Sequence, residues 1–130
     1  MSAYLFLKMS KILLVEDDLP LLRMYQVAFK NSGHEFISAT DGQEGLDKLR
    51  EEKPDLVLLD LVLPKKHGFE VLKEVKSDPS IAKIPIICLS VLHQQEDIDK
   101  CKSLGADDYI VKTDTAPEQV VLKALSRLPH

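Results

Sequence analysis

The chain has 130 residues, of which 45% are hydrophobic and 29% are charged, and its formal net charge is −4 at pH 7. This length allows one domain with a hydrophobic core but not two domains of ordinary size. The negative balance argues against direct binding to nucleic acid or to an anionic membrane surface, and no apolar run approaches the roughly 20 residues that a membrane-spanning helix needs.

Apolar runs typical of strands alternate along the chain with amphipathic stretches typical of helices. In chain order, strands are predicted at 11–15, 35–39, 55–60, 84–90 and 108–112, and helices at 19–33, 41–53, 68–78, 94–105 and 116–128. The second strand is more polar than the others, and we expect it at or near a sheet edge. The alternation predicts βαβ units, and the continuous apolar strands predict a parallel sheet covered on both faces.

The expected architecture is therefore a doubly wound α/β domain with a five-stranded parallel sheet, spanning residues 10–130. Met9 begins a stretch that looks like an alternative start, so residues 1–9 are expected to be an N-terminal extension. Cys88 and Cys101 lack the spacing of metal ligands, and we expect two reduced thiols in a cytoplasmic protein. In such a fold, the functional site is expected at the carboxyl ends of the strands.

Polar side chains stand at four of these strand ends. They are Glu16, Asp17 and Asp18 after the first strand, Asp60 at the end of the third, Ser90 at the end of the fourth and Lys112 at the end of the fifth. Each has an ordinary explanation when taken alone: Asp18 as a helix cap, Asp60 as a turn residue, Ser90 as a cap and Lys112 as a surface lysine. Their joint occurrence at one edge of a sheet indicates a site.

The chemistry of this set favours a hard cation and a phosphoryl group. Three carboxylates packed together repel one another and would raise one another's pKa, which a divalent cation relieves. Mg²⁺ suits such a site because it takes few protein oxygens and leaves room for phosphate oxygens. A carboxylate in this setting can act as a nucleophile and form an aspartyl phosphate, with a lysine ammonium balancing the phosphoryl charge.

Four segments, "ILLVEDD", "PDLVLLDLVLPKKHG", "IPIICLS" and "GADDYIVK", carry a resemblance to a known family. The chain resembles the receiver domain of two-component response regulators over roughly residues 10–128. Spacings agree as well: Asp60 follows Asp17 by 43 residues, Ser90 follows Asp60 by 30, and Lys112 follows Ser90 by 22. All four motifs occur in the family's order.

The resemblance implies a role for each matching residue. It implies that Asp60 is the phosphoacceptor, that Ser90 and Lys112 bind the phosphoryl group, and that Ser90 and Tyr109 form a conformational switch. It also implies that Glu16, Asp17, Asp60 and the backbone carbonyl of Val62 hold Mg²⁺, with Mn²⁺ as a substitute. The implied fold is flavodoxin-like, (βα)5, with strand order 2-1-3-4-5.

The resemblance also implies partners. A sensor histidine kinase or a phosphotransfer protein would supply the phosphoryl group. A downstream protein target would contact the surface of the fourth helix, fifth strand and fifth helix, as in stand-alone receivers. The protein would be a switch rather than an enzyme, and either a monomer or a phosphorylation-dependent homodimer.

Four positions depart from the family pattern. Thr113 follows Lys112 where proline after a cis bond is usual, so this bond is either trans or held cis at a cost of about 2.5–4 kcal/mol. Val91 replaces a smaller alanine, which would narrow access to Asp60. Val62 and Leu92 are apolar at positions that influence hydrolysis of the aspartyl phosphate, so slow autodephosphorylation is expected.

Other classes of function remain open. A haloacid-dehalogenase-type phosphatase would need Asp-x-Asp after the first strand, where this chain has Glu-Asp-Asp, and a flavin binder would need a glycine- and hydroxyl-rich phosphate loop there. Thr113 and Val91 leave open an interaction module that is not phosphorylated. Since "GADDY" also resembles receivers attached to DNA-binding domains, the chain could be a fragment of a larger regulator.

Overall fold

The computed structural model describes residues 9–128, and five parallel strands form one sheet in this part of the chain. The strands are β1 (Lys11–Val15), β2 (Glu35–Ala39), β3 (Leu56–Leu59), β4 (Ile86–Ser90) and β5 (Asp108–Val111). The helices are α1 (Leu19–Phe29), α2 (Gly42–Glu52), α3 (Gly68–Ser77), α4 (Gln95–Ser103) and α5 (Pro117–Ser126). The order is β2-β1-β3-β4-β5, which confirms the predicted fold class and places the more polar β2 at an edge.

The N-terminal extension predicted at residues 1–9 falls outside the described residues except for Met9. Within residues 9–128, no helix combines the length and apolar character needed to cross a bilayer.

The sheet buries both of its faces, which explains why its inner strands are apolar throughout. Because side chains alternate along a strand, Ile12 and Leu14 pack with α1 and α5, while Leu13 and Val15 pack with α2 and α3. Every residue of β3 and β4 is buried. Both layers of helices therefore hold the strands rigidly, and only the strand ends are available for chemistry.

Local signals set the helix boundaries closely. Asp18 caps α1 by accepting a hydrogen bond from the Leu21 amide at 3.1 Å, the ordinary role expected for it. The first helix is shorter than the predicted range of 19–33. It ends at Phe29, and a 3₁₀ turn (Lys30–Ser32) follows it. Gly33 closes that turn with φ +81°, a backbone conformation that glycine adopts without strain.

The two central strands bring their carboxyl ends together. Val15 at the end of β1 lies opposite Leu59 at the end of β3. The Asp60 amide donates to the Val15 carbonyl at 3.1 Å, and the Glu16 amide donates to the Ala39 carbonyl at 2.9 Å. The backbones of the first acidic segment and of Asp60 are thereby fixed beside each other.

Candidate functional site

Glu16, Asp60 and Lys112 form a buried charged cluster at the carboxyl edge of the sheet. The Lys112 Nζ lies 2.8 Å from Asp60 Oδ2 and also contacts Glu16 Oε1. Glu16 is 1% exposed and Asp60 is 5% exposed. Burying these carboxylates without a partner would cost several kcal/mol each, so the shared ammonium is what makes the arrangement stable.

Backbone amides satisfy the remaining carboxylate oxygens. The Leu61 amide donates to Asp60 Oδ1 at 2.7 Å, and the Asp18 amide donates to Glu16 Oε2 at 3.1 Å. Each oxygen of the two buried acids therefore accepts one hydrogen bond. This holds both carboxylates in a fixed orientation before any ligand arrives.

Burial and charge shift the pKa values in this cluster. Burial raises the pKa of Glu16 above its usual value, although the hydrogen bond from Lys112 opposes this effect. Burial acts to lower the pKa of Lys112, but its hydrogen bonds to Asp60 and Glu16 outweigh burial, and the pKa of Lys112 is raised. The two carboxylates therefore favour the charged form of Lys112.

Three acidic residues offer oxygen ligands to one point in space. One carboxylate oxygen from each of Glu16, Asp17 and Asp60 lies within 4.8 Å of the others. Asp17 is exposed, whereas its two companions are buried. An all-oxygen set of this kind fits a hard divalent cation that keeps several waters. Val62 lies in the β3–α3 loop, and the role of its carbonyl as a further ligand stays a prediction.

The two predicted switch residues meet at the backbone of Leu92. The Ser90 Oγ accepts a hydrogen bond from the Leu92 amide at 3.2 Å, and the Tyr109 hydroxyl donates to the Leu92 carbonyl at 2.6 Å. Tyr109 is 9% exposed, so its side chain is buried in the described structure. Burial raises the pKa of Tyr109 to about 12. The link through Leu92 was not predicted, since nothing in the sequence marks a backbone contact.

Four positions were noted above as departures from the family pattern. The structure determines the state of the bond before Thr113 and shows where Val62, Val91 and Leu92 lie. No peptide bond within residues 9–128 is cis, so the Lys112–Thr113 bond is trans. Lys112 opens a 3₁₀ turn just beyond β5 instead of ending that strand. Val62 and Val91 are about half exposed, at 52% and 50%, while Leu92 packs partly against the core.

Tyr25 is a residue near the site that the sequence analysis did not single out. It lies on α1, packs in the core with Leu22 and Phe29, and is buried. Burial raises the pKa of Tyr25, and the charges of Lys112, Glu16 and Asp60 also act on it, so its hydroxyl is within electrostatic reach of the cluster. In the sequence, Tyr25 has the spacing of an ordinary core residue of an amphipathic helix, so the pattern gives no sign that it lies near the site.

Comparison with known proteins identifies the family. The model of the response regulator receiver domain matches residues 12–124, most of the chain. The chain belongs to this family. As a receiver domain of two-component response regulators, it is part of a class that interacts with histidine kinases and with downstream targets.

Several relatives of this receiver domain are well matched. The Bacillus subtilis alkaline phosphatase synthesis transcriptional regulatory protein PhoP is 39% identical over 102 residues, which is 78% of this chain and 42% of PhoP. The phosphorylated cyanobacterial phytochrome response regulator RcpA is 37% identical with a TM-score of 0.82, covering 95% of this chain and 100% of RcpA. The Mn²⁺-bound response regulator Rcp1 is 35% identical with a TM-score of 0.76, covering 88% and 87%.

Two further facts from these matches concern a metal ion in a relative and the lengths of the relatives. The matched structure of Rcp1 is a Mn²⁺-bound form, and in this receiver domain Glu16, Asp17 and Asp60 form an oxygen set that could hold a divalent cation. The chain spans less than half the length of several curated relatives that it matches.

Proposed function

We propose that this receiver domain takes a phosphoryl group onto Asp60 and passes the signal on by protein contact. The donor is a phosphohistidine on a sensor histidine kinase or a phosphotransfer protein. One observation carries the proposal: the Asp60 carboxylate is oriented by the Leu61 amide and by Lys112, within ligand distance of Glu16 and Asp17. A nucleophile, a cation and a metal-binding set thus converge on one carboxylate.

The transfer itself needs little from the protein beyond position and charge. An Asp60 oxygen attacks phosphorus, the new P–O bond forms, and the P–N bond to the donor imidazole breaks as that ring takes up a proton. The Lys112 ammonium, which now contacts both acids, turns its hydrogen bonds toward the phosphoryl oxygens. Glu16, Asp17, Asp60 and the Val62 carbonyl would hold a Mg²⁺ ion, which supplies positive charge to the same oxygens.

Ser90 connects this event to the output surface. When its hydroxyl turns to donate to the phosphoryl group, the Leu92 amide loses the acceptor it has at 3.2 Å. The Leu92 carbonyl holds the Tyr109 hydroxyl, so a movement of this backbone acts directly on Tyr109. The resulting change reaches the surface of α4, β5 and α5, where a downstream protein binds.

The helix α4 is the part of this surface that moves most easily. Of its nine described residues, Cys101 is the one that is buried. By contrast, α3 buries four residues over a similar length. Few apolar contacts imply a low cost of displacement, so a modest change in the free energy of binding at Asp60 is enough to shift α4.

The direct test is incubation with a small-molecule phosphodonor and Mg²⁺, followed by intact-protein mass spectrometry. A single phosphoryl addition is expected in the wild type and none in Asp60→Asn. Asp47→Asn is the matched control, because Asp47 is an exposed carboxylate on α2. Absence of any addition with a competent kinase and Mg²⁺ would overturn the proposal in favour of an interaction module that is not phosphorylated.

A further inference from the structure

The first turn of α2 is in backbone contact with the loop that follows the phosphoacceptor. The Gly42 amide donates to the Pro64 carbonyl at 3.2 Å. A Cβ atom added at Gly42 would overlap the carbonyl oxygen of Lys66 and lie 2.7 Å from its carbonyl carbon. Two stretches of backbone therefore touch with no room for a side chain, and glycine is required at this position.

The same turn also packs against the end of β1, directly before the acidic pair Glu16 and Asp17. A Cβ atom added at Gly45 would lie 2.9 Å from both methyl groups of Val15. Val15 is buried and directly precedes Glu16. The helix α2 thus contacts the end of β1 at Gly45 and the β3–α3 loop at Gly42, three residues apart on one helical turn.

This turn is itself held in place. The N-cap residue Asp41 accepts a hydrogen bond from the Glu44 amide at 2.7 Å, and Glu44 accepts one at 2.9 Å from the amide of Thr40, the residue before the N-cap. The Lys65 Nζ lies 3.5 Å from Asp41 Oδ2 and ties the loop to the cap. The turn is therefore a rigid spacer and not a mobile helix end.

The loop is fixed at its far end as well. The Gly68 amide donates to the Leu61 carbonyl at 2.8 Å, where α3 begins. Between Leu61 and Gly68 the backbone contact with Gly42 is at Pro64 and Lys66. The Gly42 contacts at Pro64 and Lys66 and the Leu61–Gly68 hydrogen bond therefore bracket the loop segment that contains Val62.

We infer that Gly42 is a positioning residue, through which the capped first turn of α2 sets the spacing between Glu16–Asp17 and the β3–α3 loop and hence the affinity for a divalent cation. This inference rests on the proposed function, because it concerns the metal that serves phosphoryl transfer. Gly42 supplies no ligand; it acts through the loop backbone. Partners that hold ligands in place typically change metal affinity about 10- to 100-fold when they are removed.

The test measures cation binding directly on the full chain. Mn²⁺ binding is followed by electron paramagnetic resonance and Mg²⁺ binding by calorimetry, for the wild type, Gly42→Ala and Gly33→Ala. Gly33→Ala is the matched control, because its positive φ makes alanine costly there although no atom lies within 4 Å. We expect Gly42→Ala to weaken Mn²⁺ binding about 10- to 100-fold and Gly33→Ala to leave it unchanged. Circular dichroism reports whether both variants are folded.

A second measurement uses only the wild type and does not depend on the variant folding. Coupling between two sites is reciprocal, so Mg²⁺ must strengthen the Gly42–Pro64 contact if that contact positions the metal site. We expect Mg²⁺ to slow hydrogen exchange of the Gly42 amide, and Asp60→Asn to abolish this slowing. An unchanged exchange rate in the presence of bound Mg²⁺ would overturn the inference.

The outcomes separate this inference from the function on which it rests. A wild type that binds Mn²⁺, with Gly42→Ala binding equally well, overturns the positioning role alone. Equal weakening in Gly42→Ala and Gly33→Ala also overturns it, because general destabilisation would then explain both. A wild type that binds neither Mn²⁺ nor Mg²⁺ overturns the proposed function and the inference together.

Discussion

The Lys112 ammonium lies 2.8 Å from Oδ2 of Asp60 and contacts Glu16 at the same time, so one cation serves two buried acids. The three side chains come from the ends of β1, β3 and β5, and none of them is adjacent to another in sequence. Their charges are therefore mutually dependent. Removing any one of the three side chains changes the balance of buried charge around the other two.

Lys112→Met should destabilise the protein strongly in the absence of metal. Two buried carboxylates would lose their shared partner, and breaking such a pair costs about 3–5 kcal/mol. Chemical denaturation near neutral pH with a chelator present measures the free energy of unfolding. Added Mg²⁺ should restore part of the loss, because it supplies positive charge to the same acids.

The control for this experiment is Lys123→Met, which removes an exposed lysine from α5. Exposed charges of this kind contribute about 0–1 kcal/mol, so little change is expected. If Lys112→Met lost no more stability than Lys123→Met, the buried cluster would not depend on its lysine.

Val62→Asn should shorten the lifetime of the aspartyl phosphate several-fold. An amide at this position can orient a water molecule for attack, whereas the valine side chain cannot. Because Val62 is half exposed, the substitution should cost little stability. The lifetime is measured by intact mass after the phosphodonor is removed, with Val27→Asn on the exposed face of α1 as control.

Leu92→Glu should also shorten the lifetime of the aspartyl phosphate. Its side chain is only partly buried, but its backbone holds both Ser90 and Tyr109, so switching must be measured separately. An unchanged lifetime in both single variants and in the double variant would refute the expectation of slow autodephosphorylation by the wild type.

Tyr109 should ionise well above the usual range for tyrosine. Burial raises its pKa to about 12 from the ordinary value of 10.0. Because the folded state favours the neutral phenol, the stability that Tyr109 contributes is complete below pH 10.0 and is lost as the pH rises through about 12. Carbon NMR of the tyrosine rings follows this ionisation residue by residue.

The variant Tyr109→Phe assigns the NMR signal of Tyr109, because that signal is missing from its spectrum. It also measures how much the Tyr109 hydroxyl contributes to stability. The variant loses the hydrogen bond to the Leu92 carbonyl, which should cost about 1 kcal/mol of stability. Ionisation of Tyr109 at the pKa of a free tyrosine would mean that its ring is exposed in solution.

Cys101→Ala should loosen α4 without unfolding the domain. The substitution removes one buried heavy atom from a helix that buries a single residue, at a cost of about 0.5–1.5 kcal/mol. Hydrogen exchange should accelerate in α4 more than in α3. Ser103→Ala, at an exposed position of the same helix, should leave α4 exchange nearly unchanged. Equal acceleration in both variants would show that Cys101 does not anchor the helix.

The wild-type thiols provide a related measurement. Both cysteines are fully buried, and the neighbouring Cys101 thiol, together with burial, raises the pKa of Cys88. We expect neither thiol to react with a thiol reagent until the domain opens. Fast labelling of Cys101 alone would indicate that α4 opens by itself.

Much of the fold could be predicted because its signals are local. Apolar runs located the strands, and Asp18 and Gly33 marked the ends of the first helical region. The strand-end acids and Lys112 could be assigned to one edge because parallel strands all point the same way. The strand order needed the resemblance to a family, since the pattern along the chain carries no information about which strands are neighbours.

The remaining features depend on contacts between distant segments, which periodicity does not encode. Gly42 gives no sequence signal of its contact with Lys66, since a glycine at a helix start is ordinary. Tyr25 was hidden by its core spacing, and the Lys112–Thr113 bond could be settled only by the surrounding structure. These features arise from how closely elements approach one another, which depends on packing throughout the domain.

The bonds of Lys112 reach 52 residues back to Asp60 and 96 residues back to Glu16. Contacts between segments so far apart form only after the intervening chain has closed, and β5 is the last strand to emerge during synthesis. Until then, Glu16 and Asp60 lack the ammonium that they share in the folded domain. The contact between Asp60 and its ammonium partner is therefore complete only when the last strand has joined the sheet.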